Sequence, residues 1–101
     1  MFVSKYFNIG QVVVTHGINN IMTKNERFAL EVALSLRRFC VKDFGNLSEE
    51  DKQVNEIALK HPEDLYLLGS YKTSVGNIWI ITNATETVGM NVTTVLFPDE
   101  R

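Results

Sequence analysis

The stretch Leu65–Thr82, LYLLGSYKTSVGNIWIIT, decides which half of the chain is sheet. Two runs rich in Leu, Ile, Tyr and Trp flank Thr73 to Asn77, and Gly76 supplies a turn residue between them. That pattern predicts a β-hairpin. Within it, Ile78-Trp79-Ile80-Ile81 is apolar at every position. Successive strand residues point to opposite faces, so Ile78 and Ile80 share one side while Trp79 and Ile81 share the other. Helices packed on one face leave the other to find its own cover. We expect that cover to be the N-terminal segment (Phe2, Tyr6, Phe7) or another chain. The Trp79 face is therefore a candidate surface for a homodimer or a partner.

Downstream, NVTTVLF (residues 91–97) reads as a third strand after the loop Asn83 to Met90, and Pro98 ends it. Upstream, residues 7–15, FNIGQVVVT, hold a β-branched run that predicts a short first strand, broken at His16-Gly17. INNIM has room for one short helical turn. Thr23-Lys24-Asn25-Glu26 has the form of a capping box, in which the Thr23 hydroxyl and Glu26 carboxylate each accept the other's backbone N–H. The helix it starts runs to about Val41. Phe28, Val32, Leu36 and Phe39 repeat at helical spacing, with Ala29, Ala33 and Cys40 beside them. Leu30 and Leu34 fall on the opposite side. Ser48 is placed to cap a second helix, about 49 to 60, with Val54, Ile57 and Ala58 as its apolar edge. Pro62 disfavours helical geometry at His61 and stops it. The predicted fold is α+β: a short N-terminal strand, two helices, then a three-stranded antiparallel meander with the helices packed on one sheet face. With 101 residues and 45% apolar content, one domain spanning 1–101 fits.

Net charge is −2 and no basic stripe appears, which argues against a nucleic-acid binder. The single cysteine, Cys40, forms no internal disulfide and fits a reducing cytosol. No basic leader followed by a long apolar run opens the chain, and no apolar run approaches ~18 residues. The predicted location is cytoplasmic. Asn83-Ala84-Thr85 and Asn91-Val92-Thr93 match a glycosylation motif, which without a secretory route reads as chance.

Asp43-Phe44-Gly45 carries the letters of a kinase metal motif. The glycine-rich loop, strand lysine and catalytic Asp and Asn that this motif works with are missing. It reads as a helix-terminating turn with Gly45 at positive φ. Glu49, Glu50 and Asp51 splay by ~100° each around a helix. They suit the positive end of its dipole better than a metal. His16 and His61 read as a turn residue and a helix C-terminus. Cys40 sits on the apolar helix face as a buried hydrophobe. With no metal-spaced cluster, phosphate loop or triad, the expectation is no enzyme, no cofactor and no metal. Asp51 and Asn55, one helical turn apart, read as an exposed polar pair. The acids at Glu63-Asp64 and Asp99-Glu100 form further clusters. Glu49, Glu50, Asp51, Asn55, Glu63, Asp64, Trp79, Asp99 and Glu100 are the candidate partner contacts.

FNIGQVVVTHGI, DFGNLSEEDKQVNEIALK, LGSYKTSVGNIWIIT and TTVLFPDE together resemble a family of small plasmid-related proteins. Its members are carried on bacterial plasmids and integrative conjugative elements. The resemblance spans about residues 7 to 100. Family members typically have Pro where this chain has His16, Trp where it has Phe44, and a shorter loop before TTVLFP. The resemblance implies a mobile-element accessory protein, and it brings no catalytic residues to carry over. The leading expectation is a protein binder that inhibits a host defence system of the CRISPR or restriction type. One alternative is a nucleic-acid-linked regulator of transfer or maintenance acting through Lys5, Arg37 and Arg38. Another is a small toxin or enzyme using His16 or Asp51.

Overall fold

A computed structural model describes residues 2–87 and 89–101. In chain order it contains β1 (Gln11–Val14), α1 (His16–Met22), α2 (Glu26–Cys40), α3 (Glu49–Ala58), β2 (Tyr66–Lys72), β3 (Asn77–Ala84) and β4 (Asn91–Leu96). Single 3-10 turns occupy Pro62–Asp64 and Pro98–Glu100. The class is α+β, as expected. The topology corrects the expectation in two ways. The sheet has four strands in the order β1-β4-β3-β2, with β1 parallel to β4. Three described helices are present, not two. A parallel pair needs a long crossover between its strands, and here helices and the β2–β3 hairpin provide it.

The extra helix is α1. Thr15 caps it, its hydroxyl accepting the Ile18 N–H at 3.4 Å. Thr23 is the C-cap of α1, so the capping box predicted with Glu26 does not form. Asn25 caps α2 instead, its side-chain oxygen accepting the Phe28 N–H at 3.0 Å. Three residues between the helices leave Thr23 committed to the first and Asn25 free to start the second.

The α2 stripe is as predicted. Phe28, Val32, Leu36 and Phe39 are all buried against the sheet, while Leu30 and Leu34 are 61% and 50% exposed. Each large side chain removed from water on such a face contributes about 1.5–3 kcal/mol. On the sheet, Leu67, Tyr71, Ile78, Ile80 and Val95 complete this core. Tyr71 lies across Gly69, where an added Cβ would sit 2.6 Å from the phenol oxygen. That close approach lets the hydroxyl donate to the Asp43 carbonyl at 2.7 Å. Burial, followed by the nearby Asp43 charge, pushes the Tyr71 phenol well above its usual range.

The orientation of α3 departs from expectation. Val54 and Ile57 are 59% and 60% exposed, whereas Asn55 is 2% exposed. Ala58 and Leu59 pack against the core. The Asn55 amide donates to the Leu68 carbonyl at 2.8 Å and accepts the Leu68 N–H at 3.1 Å. Two residues along β2, Ser70 donates to the Phe44 carbonyl at 3.0 Å and accepts the Asn46 N–H at 2.7 Å. The outer edge of β2 is thus closed by the DFGN segment and by one asparagine.

No described helix is long and apolar enough to cross a membrane.

Candidate partner-binding site

The helices and the N-terminal segment take one sheet face and leave the other. Phe2 and Phe7 pack on the helix side, with Phe7 set edge-on to Phe39 at 5.5 Å. The expectation that they cover the Trp79 face is corrected. The Ser4 hydroxyl, donating to the Cys40 carbonyl at 2.7 Å, ties their segment to the C-terminal end of α2. The sheet register then defines the outer face. Leu68, Ile81 and Thr94 form one cross-strand row, continued by Val13; Trp79 pairs with Leu96, and Tyr66 with Asn83. None of these side chains belongs to the core cluster. Ile81 sits between Leu68, Trp79 and Thr94 and is 8% exposed, while Tyr66 at the rim is 41% exposed. Trp79 is half-buried. The Arg101 guanidinium stands 5.7 Å from the Tyr66 ring and 5.9 Å from the Trp79 ring. Such cation–π contacts contribute ~0.5–1 kcal/mol at exposed sites.

The other candidate residues are scattered. Glu49, Glu50 and Asp51 are exposed in the first turn of α3, where the Ser48 hydroxyl accepts the Asp51 N–H at 3.1 Å. Glu49 also faces Lys52 at 3.6 Å. Glu63 and Asp64 are exposed on the turn after α3, with Glu63 3.7 Å from the exposed His61. Asp99 is exposed. Glu100 accepts the Thr15 hydroxyl and the Phe97 N–H, both at 2.7 Å. Partial desolvation raises its pKa, and these hydrogen bonds outweigh that and leave it below the usual range. Its role is to tie the C-terminal turn to the end of β1. Asn55 is corrected from exposed contact to buried edge clamp. Its partner Leu68 lies on the β2 edge, 13 residues on, so nothing local in the sequence marked the inward face of α3.

The DFG segment is a structural turn. Asp43 accepts from Arg38 at 2.7 and 3.2 Å and from the Gly45 N–H at 3.1 Å. The Arg38 hydrogen bonds hold its carboxyl below the usual range against the pull of burial. Phe44 is buried, edge-on to Phe39. Cys40 is buried, and burial pushes its thiol up. Among the described residues no group of three His, Cys, Asp or Glu is arranged to hold a metal. A cavity of about 330 Å³ lies between Tyr6, Asn8, Glu63, Glu86 and Gly89.

No family model, curated protein or solved structure matches this chain.

Proposed function

We propose that this chain is a non-enzymatic protein binder whose contact surface is the outer face of the sheet. One observation carries the reading: Trp79, Tyr66 and Arg101 converge on a face that lies outside the core cluster. Trp, Tyr and Arg are the side chains enriched where binding energy concentrates at interfaces. Leu68, Ile81 and Leu96 beside them supply an apolar centre, and Ser70, Asn83 and Thr94 a polar margin.

The resemblance to plasmid-borne accessory proteins sets the class of partner: a host defence effector of the CRISPR or restriction type, met in a bacterial cytosol. The exposed acids Glu49, Glu50, Asp51, Glu63, Asp64 and Asp99 suit a partner whose basic surface ordinarily holds phosphates. The test is capture of partners from a bacterial lysate by the wild-type chain and by a Tyr66→Ala/Trp79→Ala variant. The reading expects a specific partner that the double variant loses while keeping its circular dichroism. A partner retained by the folded variant would move the site elsewhere. A defence-challenge panel with no protection would remove the anti-defence role.

A further inference from the structure

The two edges of the sheet are finished differently. On β2, Asn55 satisfies Leu68, and the Phe44–Asn46 segment satisfies Ser70. Among the described residues nothing comparable appears on β1. The Thr15 N–H bonds the Val95 carbonyl at 3.0 Å, which fixes the phase of the parallel β1–β4 ladder. In such a ladder alternate residues direct both backbone groups at the neighbouring strand. Gln11 and Val13 therefore share the inward direction of Thr15, while Val12 and Val14 turn their N–H and C=O groups outward. No backbone hydrogen bond outside the ladder reaches either residue among the described ones. Backbone groups of this kind seek partners. Natural edge strands are usually guarded by lysine, proline or a bulge. Gln11-Val12-Val13-Val14 carries no charge and no proline, and its register with β4 is unbroken.

We propose that β1 pairs antiparallel with β1 of a second copy, about a two-fold axis through Val13, doubling the four-stranded sheet. The register is self-complementary. Val12 of one copy lies opposite Val14 of the other, and each such pair exchanges two backbone hydrogen bonds. Val13 meets its symmetry mate in the central non-hydrogen-bonded pair, on the outer face. Charge agrees with this arrangement. Glu100 is held at the Thr15 end of β1, so antiparallel pairing sets it against the uncharged Asn8–Gln11 end of the second copy, away from its own mate. The two-fold axis is perpendicular to the sheet, so both Trp79 faces lie on the same side of the joined sheet. A contact built on four-residue strands is small beside the ~1,000 Å² of a stable interface. The dimer is accordingly concentration-dependent rather than obligate. The proposal holds whether or not a foreign protein binds the outer face.

Sedimentation equilibrium from micromolar to millimolar chain concentration tests it. Val12→Pro removes an outward N–H, a change that an edge strand tolerates in that orientation, and also alters a side chain that packs against the core. Val13→Lys leaves the backbone intact and sets like charges against each other across the axis. The wild type is expected to move from the mass of one chain towards two. Both variants are expected to weaken this at least tenfold with unchanged circular dichroism, and Val13→Lys decides if Val12→Pro fails to fold. Tyr66→Ala/Trp79→Ala is expected to dimerise like the wild type. Hydrogen exchange at the Val12 and Val14 amides should slow only as the dimer fills. A single-chain mass throughout, or a dimer untouched by Val13→Lys, would overturn the proposal. So would a foreign partner released by Val12→Pro while the wild type stays single.

Discussion

The side-chain amide of Asn55 stands in for a missing neighbour strand: it both donates to and accepts from Leu68 on the outer edge of β2. The asparagine is 2% exposed, so water cannot replace it. Asn55→Ala leaves a backbone donor and acceptor without partners and should cost about 2–4 kcal/mol in urea unfolding. Asn55→Asp adds a sign. A carboxylate there accepts from the Leu68 N–H and faces the Leu68 carbonyl without a proton to give. Burial raises its pKa in the fold, so the loss relative to wild type should grow as pH rises above ~3.9.

Gly45 is the second fixed point on that edge. Its φ is 74°, and an added Cβ would lie 2.0 Å from the Ser70 carbonyl oxygen. Gly45→Ala has to pay the left-handed penalty of about 1–2 kcal/mol and also push the strap off β2. A loss of at least ~2 kcal/mol in chemical denaturation is expected, with the Ser70 amide becoming faster in hydrogen exchange.

These two residues show where sequence reasoning succeeded and where it stopped. The α2 stripe from Phe28 to Phe39 and the Leu65–Thr82 hairpin were legible because apolar periodicity reports burial directly. The pairing of β1 with β4 was not, since Val12-Val13-Val14 suits any sheet position and carries no mark of its neighbour. The face of α3 was misread because Val54 and Ile57 outweigh Asn55 on an apolar count. What turns Asn55 inward is the unsatisfied edge of β2, a tertiary requirement with no local signature. On the candidate surface, alternation separated Trp79 from Ile80. The contribution of Arg101 was not legible, because a residue after the last strand has no register.

Acid stability should follow two depressed carboxyls. Asp43 is held low chiefly by Arg38, and Glu100 by the Phe97 N–H and Thr15 hydroxyl against a desolvation that pulls the other way. A folded pKa below the unfolded one contributes stability that is present above the unfolded value, ~3.9–4.3, and disappears as pH falls through the folded value. Stability should therefore drop below about pH 4, and Asp43→Asn with Glu100→Gln should flatten that drop. Both groups are exposed, with the Asp43 side chain 48% accessible, so at neutral pH each change should cost about 1 kcal/mol or less. Urea titrations of wild type and variants across pH 3–7 check both statements.

Cys40 should be chemically quiet. It is 6% exposed, and burial raises its thiol pKa, so both access and thiolate fraction are low. Reaction with a disulfide reagent at neutral pH should be at least ~10-fold slower in the native chain than in denaturant. Native labelling at the unfolded rate would show that the end of α2 opens.

Thr82 and Thr93 face each other inside the core at 2.6 Å, both fully buried, and Thr93 also reaches the Ile9 carbonyl at 2.6 Å. A carbonyl only accepts, so the Thr93 proton goes to Ile9, and Thr82 must donate to Thr93. The two residues look alike in sequence and pairing, yet this order makes them unequal. Thr93→Val strips the Ile9 carbonyl of its donor and leaves the Thr82 hydroxyl without an acceptor, which should cost about 2–4 kcal/mol. Thr82→Val removes one donor and leaves the Thr93–Ile9 bond in place, so about 1 kcal/mol or less is expected. Unfolding the two variants and their double mutant measures this, and the double mutant should be no less stable than Thr93→Val alone. Equal losses for the two single variants would contradict the assigned order Thr82–Thr93–Ile9, and with it the account of how the N-terminal segment is fastened to β4.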